Sequence, residues 1–347
     1  MVSVSIIGGS GYAGGELLRI LLSHPKVTIH QVTSQKFAGL SVGVVHPNLR
    51  GVTNLQYCKL EELKPCDILF VGLPNGVSMQ MMEHFTKIAK KVIDLGADFR
   101  LDSEEQWNEW YKTPHLLPHL IHEFVYGIPE INSESIRHAK WIAGPGCEAI
   151  CSILTLFPFV KHNLIESKPI IIDAKMGSSQ AGATPTTSSA HAERSRATRS
   201  YKPTGHRHTA EIEGVLSKFN PDIKIDISAT AIEIVRGILV TVHAFLKPGI
   251  SDKEIWKALR AEYKDKPFVR IVKEKHGLYR YPEPKILQGA NFFDIGWERE
   301  NRGNRVVIIG AIDNLVKGTS GNGVQCMNLM CGFDEKTGLE FPGLHPV

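Results

Sequence analysis

The chain has no CxxC pair, no internal repeat, no low-complexity segment and no run approaching the about 20 apolar residues of a membrane span. Each absence removes a class of protein. Six scattered cysteines, Cys58, Cys66, Cys147, Cys151, Cys326 and Cys331, make neither a disulfide framework nor a zinc ribbon, which fits a reducing compartment. The N-terminal apolar run is too short for a signal peptide and lacks a basic start, so a cytoplasmic protein with no membrane partner is expected. A formal charge of +4, from 40 basic and 36 acidic residues, is too small to argue for nucleic acid. What is present is a globular composition, 42% hydrophobic and 22% charged, at a length of 347 residues that favours two hydrophobic cores over one.

Val2 to Ile7 reads as a strand, followed by a glycine-rich turn and a helix whose buried side is Leu17, Leu18, Ile20, Leu21 and Leu22. VTIHQVTS (27–34), CDILFVGLP, KVIDLG and KWIAGPG follow as short apolar runs, with a helical pattern over Gly76 to Lys90. Strands alternating with helices predict an α/β fold: a Rossmann-type dinucleotide-binding domain with a parallel sheet over residues 1–147, completed by 318–347. Residues 148–317 read as a second, α+β catalytic domain with a largely antiparallel sheet. In it, Ser178 to His208 reads as a loop, DISATAIEIV and RGILVTVHAFL as consecutive strands paired antiparallel, and SDKEIWKALRAEY as a helix capped by Ser251.

Gly8, Gly11 and Gly14, with Ser10, Tyr12 and Ala13 between them, lie where a strand turns into a helix. Missing side chains there let the backbone approach a pyrophosphate, and the helix N-terminus supplies N–H donors. An NAD site wants an acid at the end of the second strand, but the positions there are Thr33, Ser34, Gln35 and Lys36. The hydroxyl of Ser34 and the ammonium of Lys36 suit a 2′-phosphate, so NADP(H) is the expected cofactor; the alternative is a solvated loop. Pro74, after another strand, is a further candidate for the cofactor's edge.

In GPGCEAIC, residues 144–151, Cys147 falls where a helix begins, a position that favours thiolate. Cys151, one turn on among Ile150, Ile153 and Leu154, reads as packing. GHRHTAEI places His206 and His208 around Arg207, and with no third ligand in view the pair reads as acid/base rather than zinc. Thiol, imidazole and nucleotide together point to thioester formation coupled to hydride transfer.

Six ordered segments, GGSGYAGGELLRILLSHP, HPNLRG, DLGADFRL, PGC, GHRHTAEI and NLVKGTSGNGVQ, resemble the N-acetyl-γ-glutamyl-phosphate reductases, within the aspartate-semialdehyde dehydrogenase class. The resemblance covers essentially the whole chain. It implies Cys147 as nucleophile, His206 ahead of His208 as acid/base, no metal, and Arg100, Arg207 and Arg236 as contacts for substrate carboxylate or phosphate. It also implies that Asn314 and Gly318 lie beside the nicotinamide.

The segment around the thiol departs from the arginine-pathway pattern Asn-Pro-Gly-Cys-Tyr-Pro. It is more similar to the lysine-biosynthesis branch, whose 2-aminoadipyl phosphate rides on a small acidic amino-group carrier protein, and some of whose members also reduce the glutamyl analogue for ornithine synthesis. Arg194, Arg196, Arg199, Lys202 and Arg207 would then steer that carrier, against the alternative of solvated loop charges. A homo-oligomer is expected. The rival functions are the same reduction of free N-acetylglutamyl phosphate and a non-catalytic NADP-binding redox sensor.

Overall fold

The computed structural model describes residues 1–347 and divides into two compact units. The first comprises Met1–Pro145, Gly182–Thr184 and Thr319–Phe341; the second comprises Gly146–Ala181, Pro185–Gly318 and Pro342–Val347. No helix is long and apolar enough to cross a membrane.

The first unit is built on seven strands: β1 (Val2–Ile7), β2 (Val27–Thr33), β3 (Tyr57–Cys58), β4 (Cys66–Val71), β5 (Ala89–Asp94), β6 (Phe124–Tyr126) and β7 (Trp141–Ala143). They lie in the order β3-β2-β1-β4-β5-β7-β6, every pair parallel. A parallel sheet needs cover on both faces, which is why Ile68 to Val71 of β4 form a run of buried apolar residues rather than an alternating one. The first helix, Tyr12–Leu22, buries Leu17, Leu18, Ile20 and Leu21, while Leu22 stays half-buried. The strand order reverses at β1, with β2 on one side and β4 on the other, and that switch point is where such sheets take ligands.

The second unit carries β8 (Ile170–Met176), β9 (Arg199–Lys202), β10 (Ile225–Ala231), β11 (Ile238–Phe245), β12 (Val269–Ile271), β13 (Phe293–Arg299) and β14 (Arg305–Ile312), in the order β12-β13-β14-β11-β8-β10-β9. Four of its six pairings are antiparallel. The expected β10–β11 hairpin does not form: β8 sits between them, parallel to β10 and antiparallel to β11. Both strands have the β-branched pattern of a half-buried strand, and that pattern does not say which neighbour a strand takes. The polar stretch after Ser178 is not one loop either; it holds the short helix His191–Arg194 and β9 at the sheet edge. Ser251 caps the helix Asp252–Tyr263 through a reciprocal capping box with Glu254.

The buried helix Cys147–Lys161 packs on β11 and β14. It comes so close that a Cβ added to Gly310 of β14 would stand 2.0 Å from Thr155 Oγ1. Pro158 inside this helix has no N–H to give the Leu154 carbonyl. The buried Tyr263 hydroxyl, from the helix Asp252–Tyr263, donates to that carbonyl instead at 2.5 Å.

Candidate active site

Two sites take shape, one in each unit. In the first, Gly8 has φ +77°, and a Cβ there would stand 2.1 Å from Gly72 O; a Cβ on Gly14 would stand 2.5 Å from Gly8 O. Neither position has room for a side chain. Gly11 is the N-cap of the helix Tyr12–Leu22, with no side chain bonded to the first-turn N–H groups and no acid in that turn, so the donors and the dipole remain available to an anion. The residues present therefore fit a dinucleotide's pyrophosphate.

At the end of β2 the Ser34 hydroxyl donates to Ser10 Oγ (2.9 Å), tying the strand end to the glycine turn, and Gly8 N–H reaches Thr33 Oγ1 at 3.4 Å. Lys36 is exposed, with its ammonium over the Phe37 ring, and Gln35 donates to Glu61 at 2.9 Å. Tyr12 and Pro74 are exposed; the Ala13 carbonyl accepts from Ser320 Oγ at 2.9 Å. Arg100 also lies in this unit, donating from Nε to Gly144 O (2.7 Å) and from Nη2 to Leu95 O (3.0 Å).

In the second unit the helix starts at Cys147, with extended Gly146 as N-cap. Cys147 is half-buried, while Cys151 is fully buried and its thiol is pushed well above its ordinary value by burial. The next residue, Glu148, is completely buried and gathers the site around its carboxylate. Oε1 takes the Tyr201 hydroxyl (3.2 Å) and faces His206 Nε2 (3.3 Å), while Oε2 takes Gln180 Nε2 (2.8 Å) and faces His208 Nδ1 (2.8 Å). Burial pushes this carboxyl upward, but the two imidazoles and the Tyr201 hydroxyl outweigh it and hold the group below its ordinary range.

His206 Nδ1 accepts the backbone N–H of His208 (3.3 Å), which leaves its proton on Nε2 toward Glu148. Burial pushes the His206 imidazole down to about 4 against the pull of that carboxylate, so it is neutral at pH 7. The other nitrogen of His208 faces Glu211 Oε1 at 3.6 Å, and Glu211 Oε2 accepts Gly146 N–H at 2.9 Å. A Cβ on Gly146 would fall 2.4 Å from His208 Nε2, and one on Gly318 would fall 2.8 Å from the Cys147 Cβ. Gly318 thus lies against the Cys147 side chain, and the His208 ring against the residue that precedes it.

Glu148, Gln180, Tyr201 and Glu211 were not singled out by sequence reasoning. Glu148 directly follows Cys147, and only its complete burial marks it out. It also supplies the third donor whose absence argued against zinc: one donor atom from each of Glu148, His206 and His208 lies within 4.8 Å of the others. Both oxygens of that carboxylate also accept hydrogen bonds, from Tyr201 and Gln180.

Asn314 and Gly318 lie in the second unit, with Cys147. The Asn314 amide accepts from Gly237 N–H (2.8 Å) and donates to Ser179 Oγ (3.0 Å). Arg236 Nε pairs with the fully buried Asp313 (2.9 Å), so an anion there would have to share it. Of the five clustered cations, Arg194 is half-buried with Nη2 on Met176 O, and Arg199 faces Glu193 at 3.6 Å; Arg196, Lys202 and Arg207 are exposed.

A parallel nucleotide unit joined to a mixed-sheet unit that opens on a thiol is the arrangement of a semialdehyde dehydrogenase, and the chain belongs to that family. Residues 3–139 match the model described as semialdehyde dehydrogenase, NAD binding domain, and residues 147–314 the one described as semialdehyde dehydrogenase, dimerisation domain. It is an oxidoreductase with a nicotinamide dinucleotide cofactor.

Within the family it groups with the aminoadipate phosphate reductases. A Thermomicrobium roseum protein named putative LysW-L-2-aminoadipate 6-phosphate reductase is 48% identical over 100% of both chains. The Deinococcus radiodurans LysW-L-2-aminoadipate 6-phosphate reductase is 46% identical over 99% of this chain and 98% of its own. The Sulfurisphaera tokodaii LysW-L-2-aminoadipate/LysW-L-glutamate phosphate reductase is 43% identical over 100% of both. Among solved structures, aspartate semialdehyde dehydrogenase II from Vibrio cholerae superposes with TM-score 0.74 at 16% identity, covering 96% of this chain and 98% of its own, a likeness of fold.

Proposed function

We propose that this protein reduces a 2-aminoadipyl 6-phosphate borne on an acidic amino-group carrier protein to the semialdehyde, with NADPH as reductant and release of phosphate. The names of its relatives supply the substrate class. The observation that carries the chemistry is the half-buried Cys147 at a helix N-terminus, with His208 seated against the preceding Gly146.

In the first step the Cys147 thiolate attacks the acyl carbon; the C–S bond forms, the bond to the phosphate oxygen breaks and phosphate leaves. The reduced nicotinamide, when bound, supplies hydride to the acyl carbon of the thioester. The His208 imidazole then gives a proton to the developing oxyanion and takes it back as the C–S bond breaks, so that aldehyde and thiolate separate. His208 takes precedence over His206 in this scheme because its Nε2 borders Gly146, the residue before the thiol, whereas burial leaves His206 neutral. Glu148 holds both rings, and Glu211 holds the far nitrogen of His208 and the Gly146 N–H.

NADP over NAD rests on the hydroxyl of Ser34 and the ammonium of Lys36 at the end of β2. The exposed Arg196, Lys202 and Arg207 are the cations that meet the acidic carrier. The match to a dimerisation domain supports a homodimer built through the second unit.

The test is NADP⁺ reduction, with phosphate present, by carrier-bound aminoadipate semialdehyde, carrier-bound glutamate semialdehyde and free N-acetylglutamate 5-semialdehyde. Activity confined to carrier-bound aldehydes is expected. Comparable activity with the free acetylated compound would move the enzyme to the arginine-type reaction.

A further inference from the structure

A second group of buried acids lies in the nucleotide unit, outside the chemistry above. Asp94 ends β5 with a completely buried side chain, and Asp98 follows at 2% exposure. The Ser78 hydroxyl, at the start of the helix Ser78–Ile88, stands 3.0 Å from Asp94 Oδ2 and 2.9 Å from Asp98 Oδ2. A hydroxyl has one hydrogen, so it can donate to only one of two carboxylates. The second contact needs a proton on the other carboxyl, directed at the Ser78 oxygen.

The remaining partners decide which carboxyl carries it. Asp98 accepts N–H groups from Gly76 (2.7 Å) and Met79 (2.9 Å), besides the Ser78 hydroxyl, the partners of an ionised cap. Asp94 has one N–H, from Gly96 (2.9 Å). Burial and the Asp98 carboxylate push the Asp94 carboxyl up to about 7. Arg100 is the cation that opposes this, with its guanidinium bonded to Leu95 O and Gly144 O. The His115 imidazole lies on the Asp98 carbonyl at 2.7 Å. The flanking strands present Leu69 to Val71 and Ile142 to Ala143, all buried and apolar.

The chain of bonds ends on the cofactor's turn. Gly72, directly after β4, places its carbonyl where a Cβ on Gly8 would stand, and donates its N–H to Ile7 O at 3.0 Å. The segment from Gly72 to Ser78 is thus continuous with the glycine turn at one end and held by Asp98 and Asp94 at the other. We propose that Asp94 keeps a proton at neutral pH and donates it to Ser78, which donates in turn to Asp98. This relay makes Asp94 a positioning residue that holds the turn from Gly72 to Val77 for the bound nucleotide. The positioning role rests on the nucleotide reading; the proton does not.

Two measurements separate them. Infrared difference spectra between the protein and its Asp94→Asn variant report a protonated carboxyl directly, without cofactor. A band that belongs to Asp94 and fades as pH rises past neutrality is expected. NADPH affinity is then measured from about pH 6 to about pH 9 in both proteins; the unsubstituted enzyme should bind about tenfold more weakly one pH unit above the midpoint, where about a tenth of Asp94 stays protonated. Asp94→Asn, whose amide still donates to Ser78, should keep its neutral-pH affinity at alkaline pH, and Ser78→Ala should weaken binding at every pH. No Asp94 band overturns the proton, and identical pH profiles in the two proteins overturn the positioning role. Failure of the unsubstituted enzyme to bind NADPH at all would strike the cofactor reading and the positioning role together, while the infrared band still decides the proton.

Discussion

The nucleotide turn and the thiol site are built by opposite means. The turn is made of absent atoms: Gly8 and Gly14 face backbone so closely that no Cβ fits, and the helix after them has no capping side chain and no acid in its first turn. The thiol site is made of buried polar atoms, with one carboxylate, Glu148, in contact with two imidazoles, a phenol and an amide. The first fails when an atom is added, the second when a charge or proton is removed. Perturbing the first should therefore show in binding and stability, and perturbing the second in turnover and pH dependence.

The largest effect belongs to the thiol. Cys147→Ala should lose turnover by about 10⁴-fold or more, with NADPH binding retained, and Cys147→Ser should fare nearly as badly; Cys151→Ala, one turn away, should change turnover by less than about tenfold. Substantial turnover in Cys147→Ala would erase the distinction between the two cysteines. Glu148→Gln comes next, with kcat lowered roughly 10²-fold and its pH profile displaced, because the amide can no longer fix both imidazoles. If that profile stays in place, the carboxylate is packing.

In the nucleotide turn, Gly8→Ala should cost about 2 kcal/mol of stability and weaken NADPH, as seen in thermal melts and titrations, since φ is +77° and Gly72 O occupies the site of the new atom. Gly11→Ala, whose Cβ would meet Gly8 O at 3.6 Å, should be mild by comparison. Equal damage at both positions would break the steric argument. Tyr263→Phe leaves the Leu154 carbonyl beside Pro158 without its donor and should cost roughly 1 to 3 kcal/mol in denaturant titrations. Smallest is the surface term: kcat/KM for carrier-bound substrate should fall severalfold with rising salt, while that for any small aldehyde does not.

The two regions also titrate in opposite senses. His206 is neutral when folded, with a value near 4 against 6.5 unfolded, so the unfolded chain binds the extra proton and stability falls as pH drops from about 6.5 toward 4. Asp94 is raised from 3.8 to about 7, so the folded chain binds the extra proton and its contribution, full below about 4, declines as pH rises to about 7. The contributions offset one another. Asp94→Asn should unmask the acid lability, so that its stability relative to the unsubstituted protein rises from pH 4 to pH 7.

This contrast also sets what was legible from the residues alone. The glycine turn, the parallel sheet and the helix start at Cys147 are local: periodicity and missing side chains announce them. Glu148 is one residue from the thiol and still went unread, because burial of a charge depends on Tyr201, Gln180 and the imidazoles arriving from distant positions. The β10–β11 pairing failed for the same reason; β8, from residues 170–176, enters between strands that are neighbours only in sequence. Asn314 and Gly318 are expected beside the nicotinamide by resemblance, and their place in the second unit, with Gly318 against Cys147, likewise comes from folding rather than from local pattern.

The most direct test of the thioester account omits the reductant. The enzyme is mixed with carrier-bound 2-aminoadipyl phosphate without NADPH, quenched in acid, digested and mapped by mass spectrometry. A mass increase equal to the acyl group and its carrier fragment on the peptide containing Cys147, with phosphate released in equal amount and the adduct discharged as aldehyde when NADPH is added, is the expected result. Phosphate release with no adduct on Cys147, or full turnover in Cys147→Ala, would contradict it.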